Sequence, residues 1–219
     1  MNEMNVGINI GTDNIEMDNI EMVYNMIAGD FDNTRYKAWP SIADFIDTFS
    51  LDHNNADIGC GNGKNMLYKK DLKFRGIDIS DEFVKICKNK FLDVTKGNIL
   101  SINFATEEFD NVICIAVIHH LEKQSDRIKA IQEIHRICKN GGNFMIYVWA
   151  FEQPLTQKRH FATQDELVPY KKINGDIFNR YYHLYVKNEL ENEITMSQIK
   201  FKEIFSGYER GNWYVKIKK

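Results

Sequence analysis

The order of predicted strands and helices assigns this chain to the α/β class, as a doubly wound, mostly parallel seven-stranded sheet with a C-terminal antiparallel hairpin. Three observations support this fold. Five apolar strands alternate with helices between residues 55 and 149, a glycine-rich turn follows the first strand, and two further strands close the chain.

Length and composition are those of one domain. The chain has 219 residues, of which 43% are hydrophobic, enough for a single core of ordinary size. Residues 1–20 are rich in Asn and Met and resemble no signal segment, so we expect a flexible tail before one domain at 21–219. No apolar run reaches the roughly 20 residues that a membrane-spanning helix needs, so we expect no membrane association.

Charge and cysteine usage narrow the partners and the compartment. The formal net charge of −3 argues against a protein that coats nucleic acid through its overall field, so an RNA substrate needs a local basic patch or a basic partner. The four cysteines show no Cys-x-x-Cys spacing. They indicate a reducing compartment, the cytoplasm, with the nucleus as the alternative. We predict no metal site.

The first elements are helical, and strands follow them. Val23, Met26 and Ile27 have helical spacing within residues 21–31. Pro40 suits the start of a second helix, because the N–H that it lacks has no partner there. We then place strands at 55–58, 74–79, 91–96, 110–117 and 143–149, with helices at 64–70, 81–90 and 125–139 between them.

The end of the chain has a different organisation. After Phe151 the alternation of strands and helices is lost. A helix near 188–197 then precedes strands near 200–207 and 212–218. The turn signal Glu209-Arg210-Gly211 between these strands predicts an antiparallel hairpin.

A glycine-rich turn follows the first strand. An acidic residue and three glycines recur there at every second position, and glycine permits a tight turn with close approach of a ligand. Nicotinamide enzymes use Gly-x-Gly-x-x-Gly instead, so this spacing favours S-adenosylmethionine as the cofactor. The alternative is that the glycines only turn the chain. The candidate cofactor-binding residues here are Asp57, Gly59, Cys60, Gly61, Asn62 and Gly63.

Residues at the ends of the following strands complete this candidate site. Asp78 ends the second strand, where a carboxylate can accept hydrogen bonds from both ribose hydroxyls of an adenosine. Asn98 follows the third strand, where its amide can hold an adenine amino group. We add Ile79, Ile99 and Ala116 to the candidate cofactor-binding residues.

Motifs spread over the chain beyond residue 20 carry a family resemblance. They include Tyr24-Asn25-x-Ile27-Ala28, Thr34-Arg35-Tyr36-Lys37-x-Trp39-Pro40, Asp57 to Lys64, Ile115-Ala116-Val117-Ile118-His119-His120, residues 146–153, residues 180–185 and residues 207–215. The chain resembles the class I methyltransferases, whose fold is Rossmann-like. Within them it is similar to the eukaryotic tRNA wobble-uridine carboxymethyl methyltransferases, including the methyltransferase domain fused to an AlkB-type oxygenase.

The resemblance implies a tRNA modification enzyme. It implies transfer of a methyl group from S-adenosylmethionine to the carboxylate of 5-carboxymethyluridine at wobble position 34, which gives 5-methoxycarbonylmethyluridine. Such a carboxylate is ionised at neutral pH, its reference pKa being about 4, so it needs no general base. We therefore expect positioning of the acceptor to dominate catalysis.

Arginines and histidines are the candidates for that positioning. Arg35 and Arg180 can each grip a carboxylate with two parallel hydrogen bonds, although either side chain can instead form a surface ion pair. His119 and His120 follow the fourth strand, at the end of the sheet over which acceptors lie in this architecture. One of the two histidines is expected to contact the substrate while the other packs. We assign Arg35, His119 and Arg180 as catalytic.

Aromatic and basic residues are the candidates for binding the tRNA anticodon loop. Bases of single-stranded RNA are read largely by stacking on aromatic rings, although most rings of a given protein belong to its core. The candidate substrate-binding residues are Tyr36, Lys37, Trp39, His120, Trp149, Tyr181 and His183.

Two departures from the family pattern affect the site. Asn98 stands where the family usually has Asp, so recognition of adenine would rely on an amide oxygen. The segment 154–179 is short where relatives often carry a long basic insertion. The remaining basic candidates for RNA contact in this segment are Lys158, Arg159, Lys171 and Lys172.

The resemblance also implies a protein partner, a small zinc-binding activator that forms a heterodimer with the methyltransferase. The third strand, near 91–96, is expected at the sheet edge, where unpaired backbone groups can bind a partner strand. We expect Phe91, Leu92 and Val94 to be exposed there and covered by the partner.

Two other functions remain as alternatives. A methyltransferase of small molecules would share the cofactor turn but needs a mostly apolar acceptor pocket, which the arginines and paired histidines disfavour. A non-catalytic scaffold with the same fold is disfavoured by the intact glycine turn and Asp78.

Overall fold

The computed structural model describes residues 15–34, 37–156 and 160–219. The helices are α1 (Ile15–Thr34), α2 (Pro40–Asp47), α3 (Asp81–Asn89), α4 (Gln124–Ile137) and α5 (Glu189–Met196), with a short 3-10 helix at Ile118–His120. The strands are β1 (Asn54–Ile58), β2 (Lys73–Asp78), β3 (Asp93–Lys96), β4 (Phe109–Ile115), β5 (Cys138–Trp149), β6 (Asp165–Lys171), β7 (Ile177–His183), β8 (Glu203–Tyr208) and β9 (Asn212–Lys218).

The main sheet has seven strands in the order β3-β2-β1-β4-β5-β9-β8. The first five strands of this order are parallel, and β9 runs antiparallel to both β5 and β8. The predicted α/β class, mostly parallel sheet and C-terminal antiparallel hairpin are therefore confirmed.

Helices cover both faces of this sheet, as β5 shows. Phe144, Ile146 and Val148 face one core cluster, which contains residues of α4 and α5. Met145 and Tyr147 face the other cluster, which contains residues of α2 and α3. This alternation follows from the two-residue period of a strand, and it explains why β5 is a continuous apolar run.

The first helix is longer than predicted. It spans Ile15–Thr34, whereas the apolar spacing predicted a helix over 21–31, and it therefore includes the end of the segment expected to be a tail. The rest of that expected tail, residues 1–14, lies outside the described residues. None of the helices in the described ranges is long and apolar enough to span a bilayer.

The helix predicted at 64–70 is wrong. The Leu67 N–H donates to the Gly63 carbonyl in an α-type bond, but the next turns close through three-residue bonds, from Tyr68 to Asn65 and from Leu72 to Lys69. A continuous α-helix needs the four-residue bond to repeat. The segment is a series of turns, and it still carries the chain from β1 to β2.

The sequence prediction also missed the β6–β7 hairpin, which forms a second, two-stranded sheet. Pro169 lies in β6 opposite Asn179, and proline is tolerated in such edge strands although it weakens the strand pattern in a sequence. Tyr170 and Phe178 of this hairpin pack against α1. The hairpin thus joins the N-terminal helix to the carboxyl end of the main sheet.

The edge position predicted for the third strand is confirmed, because β3 is terminal in the sheet. Phe91 is 97% exposed, as predicted. Leu92 is half-buried. The exposure predicted for Val94 is wrong: it is 2% exposed, because its side chain points into the cluster formed with α3.

Candidate active site

A deep pocket opens over the carboxyl ends of the central strands, where ligands bind in open α/β sheets. Its volume, including the open mouth, is about 1200 Å³. Tyr24 and Phe31 of α1 and Arg180 and Tyr182 of β7 form the wall opposite the sheet. The first helix, which is longer than predicted, and the hairpin that was not predicted thus complete the pocket.

The glycine-rich turn forms the floor of this pocket. Gly59 has a φ of +71° and Gly61 a φ of +54°, conformations that L side chains adopt at a cost. A Cβ added at Gly59 would lie 2.4 Å from the Val117 side chain, whereas one at Gly61 would meet no atom within 4 Å. Packing therefore requires glycine at position 59, while at 61 the backbone borders open space that a ligand can occupy.

Asp57 is an orphaned buried carboxylate beneath this turn. It is completely buried, and neither of its oxygens accepts a hydrogen bond of normal geometry within the described part of the chain. Burial and the nearby charge of Asp78 raise the pKa of Asp57 to about 7, against smaller opposing effects of Lys64 and Asn65. A carboxylate so placed favours a cationic ligand.

Asp78 is held by backbone N–H groups at the end of β2. Its Oδ2 accepts from the Gly61 N–H at 2.7 Å and its Oδ1 from the Ser80 N–H at 2.9 Å. Burial raises the pKa of Asp78 to about 6, although these N–H groups lower it. Each carboxylate oxygen keeps a further lone pair, so Asp78 can still accept the ribose hydroxyls predicted for it.

The remaining predicted cofactor residues border the same pocket, and the two exceptions in the whole set are Gly63 and the completely buried Asp57. Asn98 lies on the wall, and its Oδ1 accepts the Leu100 N–H at 2.8 Å. Gly63 packs away from the pocket, where an added Cβ would lie 2.3 Å from Leu92. The other predicted cofactor residues on the wall are Cys60, Asn62, Ile79, Ile99 and Ala116.

The structure places His120, rather than His119, on the pocket wall. His119 is completely buried beneath the wall, and its Nδ1 accepts the Trp149 N–H at 3.0 Å. Burial above all, with the positive charge of Arg180 acting in the same direction, lowers the pKa of His119 far below its ordinary value. His119 is thus a neutral imidazole protonated at Nε2, and it packs within the protein.

His120 is oriented by two hydrogen bonds. Its Nδ1 lies 2.8 Å from the Tyr181 carbonyl oxygen, which can only accept, so Nδ1 carries the proton. Its Nε2 then accepts from the Tyr24 hydroxyl at 2.7 Å. Burial lowers the pKa of His120 to about 3, although the Tyr181 carbonyl acts in the opposite direction. His120 is therefore a neutral positioning group and no proton acceptor at neutral pH.

Arg180 is a buried cation on the same wall. It is 3% exposed, and its guanidinium lies over the rings of Tyr170 and Tyr182, 5.3 and 5.2 Å from their centroids. Its Nε has no hydrogen-bond partner, and no described carboxylate forms a salt bridge with Arg180. A buried charge without a counter-ion is costly, so the site is suited to an anionic ligand.

Aromatic rings line the mouth of the pocket. Trp149 stacks on Tyr182 with centroids 4.4 Å apart, and Trp39 packs against Tyr147 at 5.0 Å. Lys64 lies over the Trp39 ring. Trp39 and Trp149, both half-buried, therefore border the pocket, as predicted for substrate-binding residues.

Three other predicted substrate-binding residues do not border this pocket. Lys37 lies beside a neighbouring shallow groove, together with Lys64. The Tyr181 hydroxyl donates to Asp165, and His183 lies between Asp165 and Glu189. Four further candidates lie outside the described residues: Arg35, Tyr36, Lys158 and Arg159. The other two basic candidates are described: Lys171 is the last residue of β6, and Lys172 lies over the Phe178 ring.

Sequence reasoning missed several residues of this wall. Tyr24 was part of a quoted motif but received no role, and Tyr182 stood between two residues that did. Strand alternation could have placed Tyr182 with Arg180, because residues two apart share a face of a strand. The other residues missed on the wall are Ile20, Phe31, Lys64, Asn65, Ile77, Phe83, Gly97, Ile115, Val117 and Leu121.

Comparison with known proteins agrees with this geometry. Residues 56–146 match the model of a methyltransferase domain. The chain is 33% identical over 224 residues to the tRNA (carboxymethyluridine(34)-5-O)-methyltransferase of Schizosaccharomyces pombe, covering 92% of this chain and 97% of that protein. This chain belongs to that methyltransferase family.

A longer relative and a solved structure extend the comparison. The chain is 31% identical to the tRNA (carboxymethyluridine(34)-5-O)-methyltransferase of Xenopus tropicalis, where the match covers 96% of this chain but 42% of the relative. The methyltransferase in a complex with the Trm112 methyltransferase activator of Haloferax volcanii has the same fold, with a TM-score of 0.65, 14% identity, and 91% and 96% of the two chains covered.

The pocket fits the cofactor of this family, and the prediction of S-adenosylmethionine is confirmed. The molecule carries a sulfonium and an ammonium group, which suit the orphaned carboxylate of Asp57. Its ribose hydroxyls suit Asp78, and the open space over Gly61 admits its chain. The residues present therefore match its charges and its hydrogen-bonding groups.

Proposed function

We propose that this protein esterifies the carboxylate of 5-carboxymethyluridine at tRNA position 34, using the methyl group of S-adenosylmethionine. The observation that carries the proposal is Arg180, a buried cation without a described carboxylate partner on the wall of the cofactor pocket. An anionic acceptor would supply the missing counter-ion at the place where methyl transfer occurs. The names of the relatives from S. pombe and X. tropicalis support the same substrate.

The residues of the wall suit a reaction that needs positioning and no base. The acceptor carboxylate is ionised at neutral pH, and the bound cofactor supplies a methyl group on a cationic sulfur. Arg180 holds the carboxylate by charge-assisted hydrogen bonds, and the Tyr24 hydroxyl lies on the same wall. His120 stays neutral and fixes the Tyr24 hydroxyl by a hydrogen bond, so His120 does not protonate the acceptor carboxylate.

The aromatic residues at the mouth suit an unstacked base. Trp149 and Tyr182 present a stacked pair beside Arg180, and Trp39 lies at the glycine-rich side. Stacking on such rings contributes about 1–3 kcal/mol per base. A wobble uridine flipped from the anticodon loop would place its ring between these groups and its carboxymethyl arm towards Arg180.

Mass spectrometry of nucleosides tests this function. tRNA that carries 5-carboxymethyluridine is incubated with the protein and labelled S-adenosylmethionine, then digested. We expect labelled 5-methoxycarbonylmethyluridine. Label on another nucleoside, or on a free carboxylate or quinone offered in competition, would contradict the assignment of substrate.

We further propose that the protein works as a heterodimer with a small zinc-binding activator. Support comes from the H. volcanii fold neighbour, which is in a complex with the Trm112 activator, and from the exposed edge at β3 beside Phe91. Unpaired backbone groups of an edge strand can bind a partner strand. Co-expression with the activator is expected to give a 1:1 complex, measured by light scattering. Phe91→Asp is expected to weaken this complex. A fully active monomer that does not bind the activator would refute the proposal.

The cysteines support a reducing compartment for this function. Cys60, Cys87, Cys114 and Cys138 are all buried free thiols. We propose a cytoplasmic location, with the nucleus as the alternative, since such thiols persist where glutathione keeps them reduced. Fractionation of cells that express the tagged protein tests this.

A further inference from the structure

An ionic cluster lies on the β6–β7 hairpin, outside the lining of the cofactor pocket. His183, the last residue of β7, places Nδ1 2.9 Å from Asp165 Oδ1 and Nε2 2.8 Å from Glu189 Oε1. A neutral imidazole has one N–H donor, whereas carboxylate oxygens only accept. The two bonds together therefore require the imidazolium form of His183.

The two carboxylates are themselves held in place. Glu189 Oε2 accepts from the Val186 N–H at 2.9 Å and from the Gln164 side chain at 2.8 Å. Asp165 Oδ1 also accepts from the Tyr181 hydroxyl. The cluster thus ties both strands of the hairpin and the segment before β6 to the first turn of α5. The Glu189 side chain is 19% exposed and that of Asp165 is 62% exposed, so water screens the Asp165 bond more strongly.

The charges around His183 come from three elements. Burial lowers its pKa, but the bonds to Glu189 and Asp165 more than offset this, and the positive charge of Arg127 on α4 acts against them. The pKa of His183 is raised overall, and the pKa values of Asp165 and Glu189 are lowered, as expected for one shared ionic cluster. The other titratable neighbours are Tyr181, Tyr185 and the neutral His119.

The same strand carries the acceptor residues of the pocket. Arg180 and Tyr182 line the pocket, while Tyr181 and His183 do not. The Tyr181 carbonyl accepts from His120 Nδ1, so the cluster and the pocket share β7. A two-stranded sheet is marginally stable by itself, and its position depends on what anchors it.

We propose that His183, as an imidazolium between Asp165 and Glu189, is a positioning residue that anchors the β6–β7 hairpin and so holds Arg180 and Tyr182 against the acceptor. This inference rests on the proposed function for its effect on methyl transfer. When His183 loses its proton, one of the two bonds breaks and the hairpin loosens. The cofactor residues lie on other elements and keep their geometry.

The test measures methyl transfer and hydrogen exchange between pH 6 and 9, with the full chain and its activator where that is needed. For the wild type we expect kcat/KM for tRNA to fall on the alkaline side by about tenfold, and the protection factors of residues 165–183 to fall over the same range. His183→Gln is expected to show both losses already at pH 6.5 and to have no further alkaline loss. Affinity for S-adenosylmethionine should stay within about twofold.

Two further variants separate positioning from a general loss of stability. Glu189→Gln should act like His183→Gln but more mildly, and Glu191→Gln, in the same turn of α5 with no bond to the cluster, should match the wild type. The proposal would be overturned if His183→Gln had the same hydrogen-exchange protection factors in residues 165–183 as the wild type. It would also be overturned if kcat/KM of this variant fell on the alkaline side as much as that of the wild type. Failure to methylate carboxymethyluridine tRNA at all would instead remove the proposed function, since hydrogen exchange still reports on the cluster.

Discussion

The two halves of the pocket are built in different ways. The cofactor half consists of one turn and the ends of two neighbouring strands, with backbone N–H groups and carboxylates between Asp57 and Asp78. The proposed acceptor half joins Tyr24, His120 and Arg180 from a helix, a strand end and a separate hairpin. The first half is local and the second is assembled by tertiary contacts, so the two should fail independently when they are mutated.

The largest effect is expected at Arg180. Arg180→Met removes the buried cation while keeping its aliphatic length, and we expect kcat/KM for tRNA to fall by about 10²–10³, since breaking a buried ion pair costs about 3–5 kcal/mol. Arg180→Lys should recover part of this. Affinity for S-adenosylmethionine, measured by calorimetry, should not change, and a loss there would show that the two halves are not separate. Arg210→Met on the β8–β9 turn is the matched control.

The next effect concerns Asp57 and the cofactor half. Asp57→Asn should weaken binding of S-adenosylmethionine by about tenfold to 100-fold, because the cationic ligand loses its counter-ion. In the wild type, affinity should rise with pH through about 7, where Asp57 ionises in the free protein. Calorimetry across pH 6 to 8 measures both, with the exposed Asp52→Asn as control.

The same substitution should stabilise the free protein. The pKa of Asp57 is about 7 in the fold and 3.8 in its absence, so the folded state binds more protons between these values and loses stability as pH rises through them. Asp57→Asn removes this loss, and at pH 8 its free energy of unfolding should exceed that of the wild type by up to about 4 kcal/mol. If Asp57→Asn were no more thermally stable than the wild type at pH 8, the negative charge of Asp57 would have to be neutralised by another group in the free protein.

The smallest effect is expected at Tyr24. Tyr24→Phe deletes the hydroxyl that donates to His120 but keeps the ring contacts with Phe31 and Phe83. We therefore expect a loss of about threefold to tenfold in kcat/KM for tRNA, the range of one hydrogen bond. Cofactor affinity should be unchanged. Tyr68→Phe, which loses an exposed hydroxyl bond to Asp47, should have no effect. A larger loss at Tyr24 than at Arg180 would reverse the order of importance within the acceptor half.

The sequence alone was enough for the fold class, and it placed the glycine-rich turn and Asp78 at the ends of two neighbouring strands, where the structure has them. Strand and helix periods are local properties, and the residues of the glycine turn lie close in sequence, so their geometry follows from neighbouring φ and ψ angles. The prediction of a helix at 64–70 was wrong because local propensity is only a weak guide. The segment forms turns in the folded protein.

Only the tertiary structure decided which residues form the acceptor half. Tyr24 and His120 are 96 positions apart in the chain, and no pattern in either segment predicts their hydrogen bond. The choice between His119 and His120 depends on how the 3-10 helix after β4 turns, and the position of Arg180 depends on a hairpin whose proline masks its strand period. Burial and charge pairing are properties of the packed molecule, so the proposed acceptor half was decided by packing against α1 and the β6–β7 hairpin. The turn and strand ends of the proposed cofactor half are close in sequence, and the sequence by itself was enough to predict them.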